Sequence, residues 1–189
     1  MISLRSRYIL WTLIVVLTAL AVHVSAYDER ALIDLARSAV CAEVEGKSLP
    51  TPSTKTTVHP VFVTIETKGR VIGCRGDLQA RGRTLEDEVI ISARAAAKHD
   101  PRYRPLTTKD LSDVQVTVTI VDHIQPLDHI TDLTPAEGLV LKSGSHIGIV
   151  LPWEGKDPSI RLQRAYKKAG VAPGSACQLH RLAAERFRG

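Results

Sequence analysis

The 189-residue chain is poor in cysteine and in aromatic residues. It has three cysteines, Cys41, Cys74 and Cys177, and aromatic residues make up 4% of the chain. Because the cysteines form no C-x-x-C pair and no zinc-finger spacing with the histidines, we expect no structural metal site. An odd number of cysteines also leaves at least one thiol free or intermolecular in an oxidising compartment. With so few aromatic rings, aliphatic side chains must form most of the core.

Neither sign of charge is in large excess. The formal net charge is +5, and the first 26 residues contribute Arg5 and Arg7 with no acidic residue. Without that segment the chain keeps 23 basic and 20 acidic side chains, a net charge of +3. Such a balance does not favour general nucleic-acid binding, which we keep only as a second alternative.

A long apolar run occurs at the N-terminus. Residues 8–22 are almost entirely apolar, follow the two arginines and precede the small-residue sequence Val24-Ser-Ala26. This layout predicts a signal peptide over residues 1–26. The alternative is an uncleaved membrane anchor through residues 8–22, although that run is short for a span of about 20 residues. Either interpretation places residues 28–189 outside the cytoplasm, in the periplasm or secreted.

The remainder of the chain shows no internal repeat and no low-complexity tract, so we expect one domain. Apolar spacing predicts helices over residues 29–45, 85–98 and 159–169, the second of which opens with a capping-box-like Thr84-Leu-Glu-Asp87. Alternation predicts strands over residues 58–66, 71–72, 114–120, 139–142, 147–151 and 178–187. In the third strand, valines alternate with polar residues, which indicates a half-buried strand. The order of elements predicts an α+β fold with a mostly antiparallel sheet flanked by helices.

Eight segments of the chain form a series of motifs in a fixed order. They are Val61–Glu66, Val71–Gly76, Ala93–Ala97, Asp100–Tyr103, Val116–Ile120, Gly138–Leu141, Gly148–Pro152 and Lys168–Gly170. In their order and spacing they resemble one known family, the AMMECR domain family. The resemblance covers nearly all of residues 28–189.

The resemblance implies a fold and a set of partners, but no reaction and no known cofactor. The implied fold is α+β, with an antiparallel sheet, flanking helices, a smaller subdomain and a cleft. The implied partners are a Memo-type protein and a radical S-adenosylmethionine protein. The chain departs from the family pattern at Arg75 and Asp77, and at Trp153, where glutamine is usual.

The segment Gly73-Cys74-Arg75-Gly76 is the strongest candidate for a site. The glycines allow a ligand to approach the backbone closely or allow amide groups to form an anion-binding nest. Cys74 is a candidate nucleophile or redox thiol, with His99 or His146 as a base. The alternative is structural: the glycines shape a turn or a bulge, and Cys74 packs as a small apolar residue.

Arginines near this segment suggest a basic cleft. Arg102 and Arg104 are predicted to bind a ligand together with Gly73, Arg75 and Gly76. The alternative to a basic cleft is that the arginines are scattered and solvated. The alternative for Asp100–Tyr103 is a purely structural turn. Our leading hypothesis is therefore a domain that binds a small anionic ligand or a partner protein in a cleft walled by residues 73–77. A cysteine-dependent enzyme or redox helper that uses Cys74 is the first alternative.

Overall fold

The computed structural model describes residues 27–52 and 54–189 as a six-stranded sheet with three helices. The helices are Glu29–Glu45 (α1), Leu85–Lys98 (α2) and Pro158–Ala169 (α3). The strands are Val61–Thr67 (β1), Arg70–Gly76 (β2), Val114–Leu127 (β3), Gly138–Ser143 (β4), His146–Val150 (β5) and Gln178–Arg188 (β6). Short 3-10 helices cover Thr108–Asp113 and Ile130–Asp132. The predicted α+β class is confirmed.

The predicted N-terminal signal or anchor, residues 1–26, lies outside the described residues. Among the residues that are described, no helix is both long and apolar enough to cross a membrane. All three cysteines fall in the described part of the chain, and all three are free thiols.

Local capping explains where the first two helices begin. The Asp28 carboxylate accepts a hydrogen bond from the Ala31 N–H, which starts α1, and Gly46 ends that helix with a φ of 66°. At α2 the Thr84 hydroxyl accepts from the Asp87 N–H, and the Asp87 carboxylate accepts from the Thr84 N–H. These reciprocal bonds satisfy amide groups that a helix start leaves unpaired. The predicted helix starts at 29 and 85 are therefore confirmed.

The sheet is antiparallel throughout, with strand order β2-β1-β3-β6-β4-β5. Helices α1 and α2 pack on β1, β2 and β3, whereas α3 packs on β4 and β5. A third cluster of buried residues joins both ends of the sheet on its other face, since it contains Phe62 of β1 together with Val140 and Leu151. The sheet therefore curls, and its two edge strands, β2 and β5, approach each other.

The curl corrects the prediction that the third strand is half-buried. Thr117 and Thr119, the polar positions of the alternation, are only 6% and 0% exposed, so β3 is covered on both faces at its centre. The strand also continues to Leu127, past a register shift after Val121. Beyond Ile120, β3 pairs only with β6 among the described strands, so one of its edges is free. Pro126, which has no N–H to donate, is tolerated there for that reason.

Two hairpin–helix units of similar construction make up the two ends of the sheet. We call β1, β2 and α2 the first unit, and β4, β5 and α3 the second unit. In the first unit a Cβ at Gly73 would collide with the Ala96 carbonyl oxygen of α2. In the second unit a Cβ at Gly148 would collide with the Ala165 carbonyl oxygen of α3. In each unit a glycine thus lets the helix lie directly against the edge strand.

Candidate functional site

A groove separates the edge strand of the first unit from β5 and α3 of the second unit. It has an inner compartment of about 350 Å³ and an outer compartment of about 720 Å³. Both volumes lie in or near the range of small-molecule pockets, about 300–1,000 Å³. Five residues line both compartments: Cys74, Arg102, Leu151, Glu154 and Lys168. The two compartments are therefore continuous.

Cys74 lies on the groove face of β2 and is half-buried. Its Sγ accepts a hydrogen bond from the Thr64 hydroxyl at 3.2 Å. Strand register puts Cys74 opposite Thr64, Thr64 opposite Thr117 and Thr117 opposite Arg188. One row of side chains on this face of the sheet thus offers a thiol, two hydroxyls and a guanidinium to the inner compartment.

Asp100 and Arg102 close the free edge of β2 beside Cys74. The Asp100 carboxylate accepts the Cys74 N–H at 2.8 Å, and Arg102 donates to the Cys74 carbonyl oxygen at 2.7 Å. Arg102 also donates to Asp100 at 2.9 and 3.0 Å. Burial alone would raise the pKa of Asp100, but hydrogen bonds from Arg102 and Cys74 outweigh it and hold the pKa below its usual value.

Glu154 and Lys168 cap the edge of the second unit in the same way. Lys168 donates to the Ile149 carbonyl oxygen at 2.8 Å and to the Glu154 carboxylate at 2.6 and 2.8 Å. Glu154 in turn accepts the Leu151 N–H at 3.0 Å. Each unit therefore presents a cation, paired with a carboxylate, on its own side of the groove. Such caps also prevent another chain from pairing with the strand edge.

The loop that carries Trp153 and Glu154 is held from below by Arg161. The Arg161 side chain is fully buried and donates to five backbone carbonyls, those of Thr134, Pro135, Glu137, Pro152 and Gly155. Burial lowers the pKa of Arg161, and the charge of Glu137 partly opposes that effect. Residues 134–137 and residues 152–155 are thus two loops tied to one side chain. The groove wall at Trp153 is therefore pre-formed.

Strand β6 adds two more cations to the inner compartment. The Arg186 guanidinium lies over the Trp153 ring, 4.7 Å from its centroid. Arg188 forms an ion pair with Glu66 at 2.5 Å and donates to the Gln115 side chain at 3.0 Å. Both arginines alternate with the buried Phe187, so they point to the opposite face of the sheet, where the groove lies.

The model of the AMMECR1 family matches residues 33–189. The chain belongs to the AMMECR1 family. A protein from Aeropyrum pernix is 32% identical over 85% of this chain and 76% of its own length. Others come from Methanothermobacter thermautotrophicus, 31% identical over 77% of this chain and 84% of its own, and Thermotoga maritima, 33% identical over 67% and 76%.

A solved structure supports the fold of this AMMECR1 domain. The crystal structure of an uncharacterized protein from Pyrococcus horikoshii superimposes with a TM-score of 0.73. The match covers 83% of this chain and 89% of that one, at 22% sequence identity. At that identity the likeness concerns the fold alone.

The two glycines of the AMMECR1 motif stand in a strand, and a register shift in the β1–β2 pairing lies directly beside Gly73, as the structural alternative of a turn or a bulge allowed. Neither Gly73 nor Gly76 has a positive φ, and both pair with β1. Gly73 faces α2, away from the groove, whereas Gly76 lines the outer compartment beside Phe62. Their lack of a side chain makes room for the Ala96 carbonyl oxygen and for the Phe62 ring, respectively. Ligand binding by these glycines stays a prediction.

Of the arginines predicted near the site, Arg75 and Arg102 line the groove. Arg104 instead pairs with Asp110 at 2.7 Å and lines a separate small pocket. The cations that join Arg75 and Arg102 in the groove come from α3 and β6: Arg164, Lys167, Lys168, Arg186 and Arg188. Strand alternation around Phe187 was a signal for the last two. Nothing in the sequence indicated that the sheet curls enough to bring α3 opposite Cys74.

Neither histidine considered as a base lies in the groove. His99 is 4.0 Å from Glu43 on α1, and His146 lies against the Ala169 carbonyl oxygen at the end of α3. No histidine is found among the described residues that line either compartment. In the described part of the chain, no group of three or more histidine, cysteine, aspartate or glutamate side chains could hold a metal ion.

Proposed function

We propose that this AMMECR1 domain binds a small anionic ligand in the groove between its two hairpin–helix units. The observation that carries the proposal is the excess of cations over carboxylates along the groove. Glu66 and Glu154 are the lining carboxylates among the described residues. The lining cations in that same part of the chain are seven: Arg75, Arg102, Arg164, Lys167, Lys168, Arg186 and Arg188.

Four of those cations have no carboxylate partner among the described residues, although one of them, Arg164, donates to the Glu154 carbonyl oxygen. Ion pairs within the described chain occupy Arg102, Lys168 and Arg188. None of the ion pairs between described residues involves the other four: Arg75, Arg164, Lys167 and Arg186. Like charges gathered along a concave surface raise the local concentration of counter-ions and speed the approach of an anionic ligand.

Cysteine chemistry at Cys74 is the weaker alternative. The base that most often activates a nucleophilic thiol is histidine, and no histidine lies among the described lining residues. The neighbour of the sulfur is the Thr64 hydroxyl, which donates to it. We therefore assign Cys74 to the wall of a binding site. The Memo-type and radical S-adenosylmethionine partners rest on the family resemblance, and the extracytoplasmic location rests on residues 1–26; both remain proposals.

Titration of the full chain with citrate and pyrophosphate, followed by amide NMR shifts, tests the proposal. We expect shifts that saturate and that concentrate on β2, on the end of β5 and on α3. The double variant Arg75→Gln/Lys167→Gln removes two unpaired groove cations and should weaken binding about fivefold. The matched control, Arg37→Gln/Lys55→Gln, removes two exposed cations outside the groove and should leave affinity unchanged. Equal weakening in both variants, or shifts confined to other surfaces, would overturn the proposal.

The variant Cys74→Ala separates binding from covalent chemistry. If Cys74 only walls the groove, anion affinity should change by less than about twofold, since the thiol contributes one weak acceptor. Intact-protein mass spectrometry after incubation should show no added mass on the wild-type chain. A stable adduct on Cys74 would instead favour the cysteine-dependent alternative.

A further inference from the structure

We infer that the ligand is a small monocarboxylate with an aliphatic body, held with its carboxylate in the inner compartment and its body in the outer one. The inference rests on the proposed function and specifies the ligand class of that same groove. It depends on four features: the charge count of the inner compartment, the position of Arg186 over Trp153, a threonine hydroxyl in the same compartment, and the aliphatic lining of the outer compartment.

The inner compartment has room for one negative charge. Its cations among the described residues are Arg102, Lys168, Arg186 and Arg188. Carboxylates neutralise three of them, since Asp100 pairs with Arg102, Glu154 with Lys168 and Glu66 with Arg188. Arg186 is left without a carboxylate partner in the described part of the chain. A monoanion balances that charge, whereas a phosphate dianion would bring an uncompensated charge into a partly desolvated site.

Arg186 is positioned to meet a carboxylate. Its guanidinium lies over the Trp153 ring, 4.7 Å from the ring centroid. This contact leaves N–H groups of the guanidinium for the two oxygens of a carboxylate. The Trp153 ring is itself supported by the buried cluster on the groove face of the sheet. The donor is therefore pre-organised, which reduces the entropy lost on binding.

Thr117 supplies a hydroxyl to the inner compartment. The residue is 6% exposed and lines the inner compartment, between Thr64 and Arg188 in the strand register. Its hydroxyl makes no hydrogen bond to the side chains or backbone of the described residues, whereas the Thr64 hydroxyl already donates to Cys74. A ligand oxygen beside this hydroxyl would accept a hydrogen bond from it.

The outer compartment is suited to an aliphatic body. Its apolar lining comes from both units: Phe62, Pro101, Ile147, Ile149 and Leu151. Ile147 is 47% exposed, so a large aliphatic surface remains open to solvent there. The unpaired Arg75, Arg164 and Lys167 lie on the same compartment and would attract the anion as it enters.

Four probes of matched size or charge test the inference by calorimetry or NMR titration of the full chain. They are octanoate, acetate, octanamide and octyl phosphate. Each buried methylene should add about a factor of four to the affinity. Even if half of the octanoate alkyl chain stays exposed to solvent, octanoate should bind more tightly than acetate by about tenfold or more. It should also bind more tightly than neutral octanamide and than octyl phosphate.

Two substitutions locate the carboxylate. Arg186→Gln should lower the affinity for octanoate by about tenfold or more and leave the affinity for octanamide unchanged, because only the charged head contacts the guanidinium. Arg186→Lys keeps the charge but not the planar fork and should give an intermediate loss. Thr117→Val keeps the shape and should weaken octanoate about fivefold. Arg37→Gln, on the exposed face of α1, is the control and should have no effect.

The outcomes distinguish this inference from the proposed function. Suppose that citrate and pyrophosphate bind in the groove but octanoate binds no more tightly than acetate. The inference of an aliphatic body is then wrong, whereas the proposal of anion binding stands. If octanamide or octyl phosphate binds as tightly as octanoate, the inference that the ligand has a carboxylate head is wrong. If octanoate loses no affinity in Arg186→Gln, the inner compartment does not hold the head. If no anion perturbs the groove at all, the proposed function itself fails.

Discussion

The two hairpin–helix units that face each other across the groove share their construction but differ at the residue after the glycine. In each unit a glycine admits a helix, and a cation–carboxylate pair caps the edge strand. The next residue is Cys74 in the first unit and Ile149 in the second. The backbone requirements are therefore the same on both sides, and the position after the glycine is where the two walls of the groove acquire different chemistry.

The two units also differ in how they are supported. The first unit rests on two helices, α1 and α2, and its capping carboxylate, Asp100, has only 2% of its side chain exposed. The second unit rests on one helix, and its capping Glu154 is 27% exposed. Arg161 compensates by tying together the loops around the second unit. A smaller apolar core is thus supplemented by a buried polar network.

The largest effect on this comparison is expected from Arg161→Met. The variant leaves five backbone carbonyls without their donor and should lower the free energy of unfolding by about 4 kcal/mol. Urea denaturation followed by circular dichroism measures the loss, and hydrogen exchange should show β4, β5 and α3 loosened before β1 and β2. The exposed neighbour Arg164→Met is the control and should cost less than about 1 kcal/mol. Equal losses in the two variants would contradict the role assigned to Arg161.

The equivalence of the two glycines is tested by Gly73→Ala and Gly148→Ala. Each new Cβ would meet a helix carbonyl oxygen, so each variant should lose about 3 kcal/mol, and the two losses should be similar. Gly144→Ala serves as the comparison, because that glycine has a φ of 58° but open space around it. It should lose about 1 kcal/mol, from backbone strain alone. If either buried variant behaves like Gly144→Ala, that unit does not depend on close helix–strand contact.

Removing the charge of each capping carboxylate should lower the free energy of unfolding by different, smaller amounts. Asp100→Asn should cost about 2 kcal/mol, because Arg102 loses a buried charged acceptor, and Glu154→Gln about 0.5 kcal/mol, because that pair is more exposed. The two variants are compared by urea denaturation at neutral pH. Losses of equal size would show that burial does not distinguish the two caps.

The same pair gives a pH dependence. The pKa of Asp100 is lowered from 3.8 in the folded chain, so its contribution is present above 3.8 and is lost as the pH falls through the lower folded value. The stability gap between the wild type and Asp100→Asn should therefore be constant near neutral pH and shrink in acid. A gap that stays constant down to about pH 2 would show that the carboxylate charge is not what Asp100 contributes.

Most secondary-structure elements could be predicted from the chain because their signals are local. Apolar spacing predicted α1 and α2, the capping-box-like segment at Thr84 marked the start of α2, and alternation predicted the strands of the first hairpin. The site was predicted in part. Cys74, Arg75 and Arg102 line the groove, but Trp153, Glu154 and the cations of α3 and β6 were not placed there. Those residues are distant in sequence from Cys74, and no local pattern links them to it.

The sequence by itself therefore determined the elements, the α+β class and the family, since each depends on short-range periodicity or on motifs in order. Only the tertiary structure decided that β3 is covered on both faces, that Gly73 faces a helix, and that two edge strands form one groove. These features result from the curl of the sheet, which is produced by the packing of two separate apolar clusters and a third that joins them. Such packing is a property of the whole chain, because it depends on contacts between residues far apart in sequence.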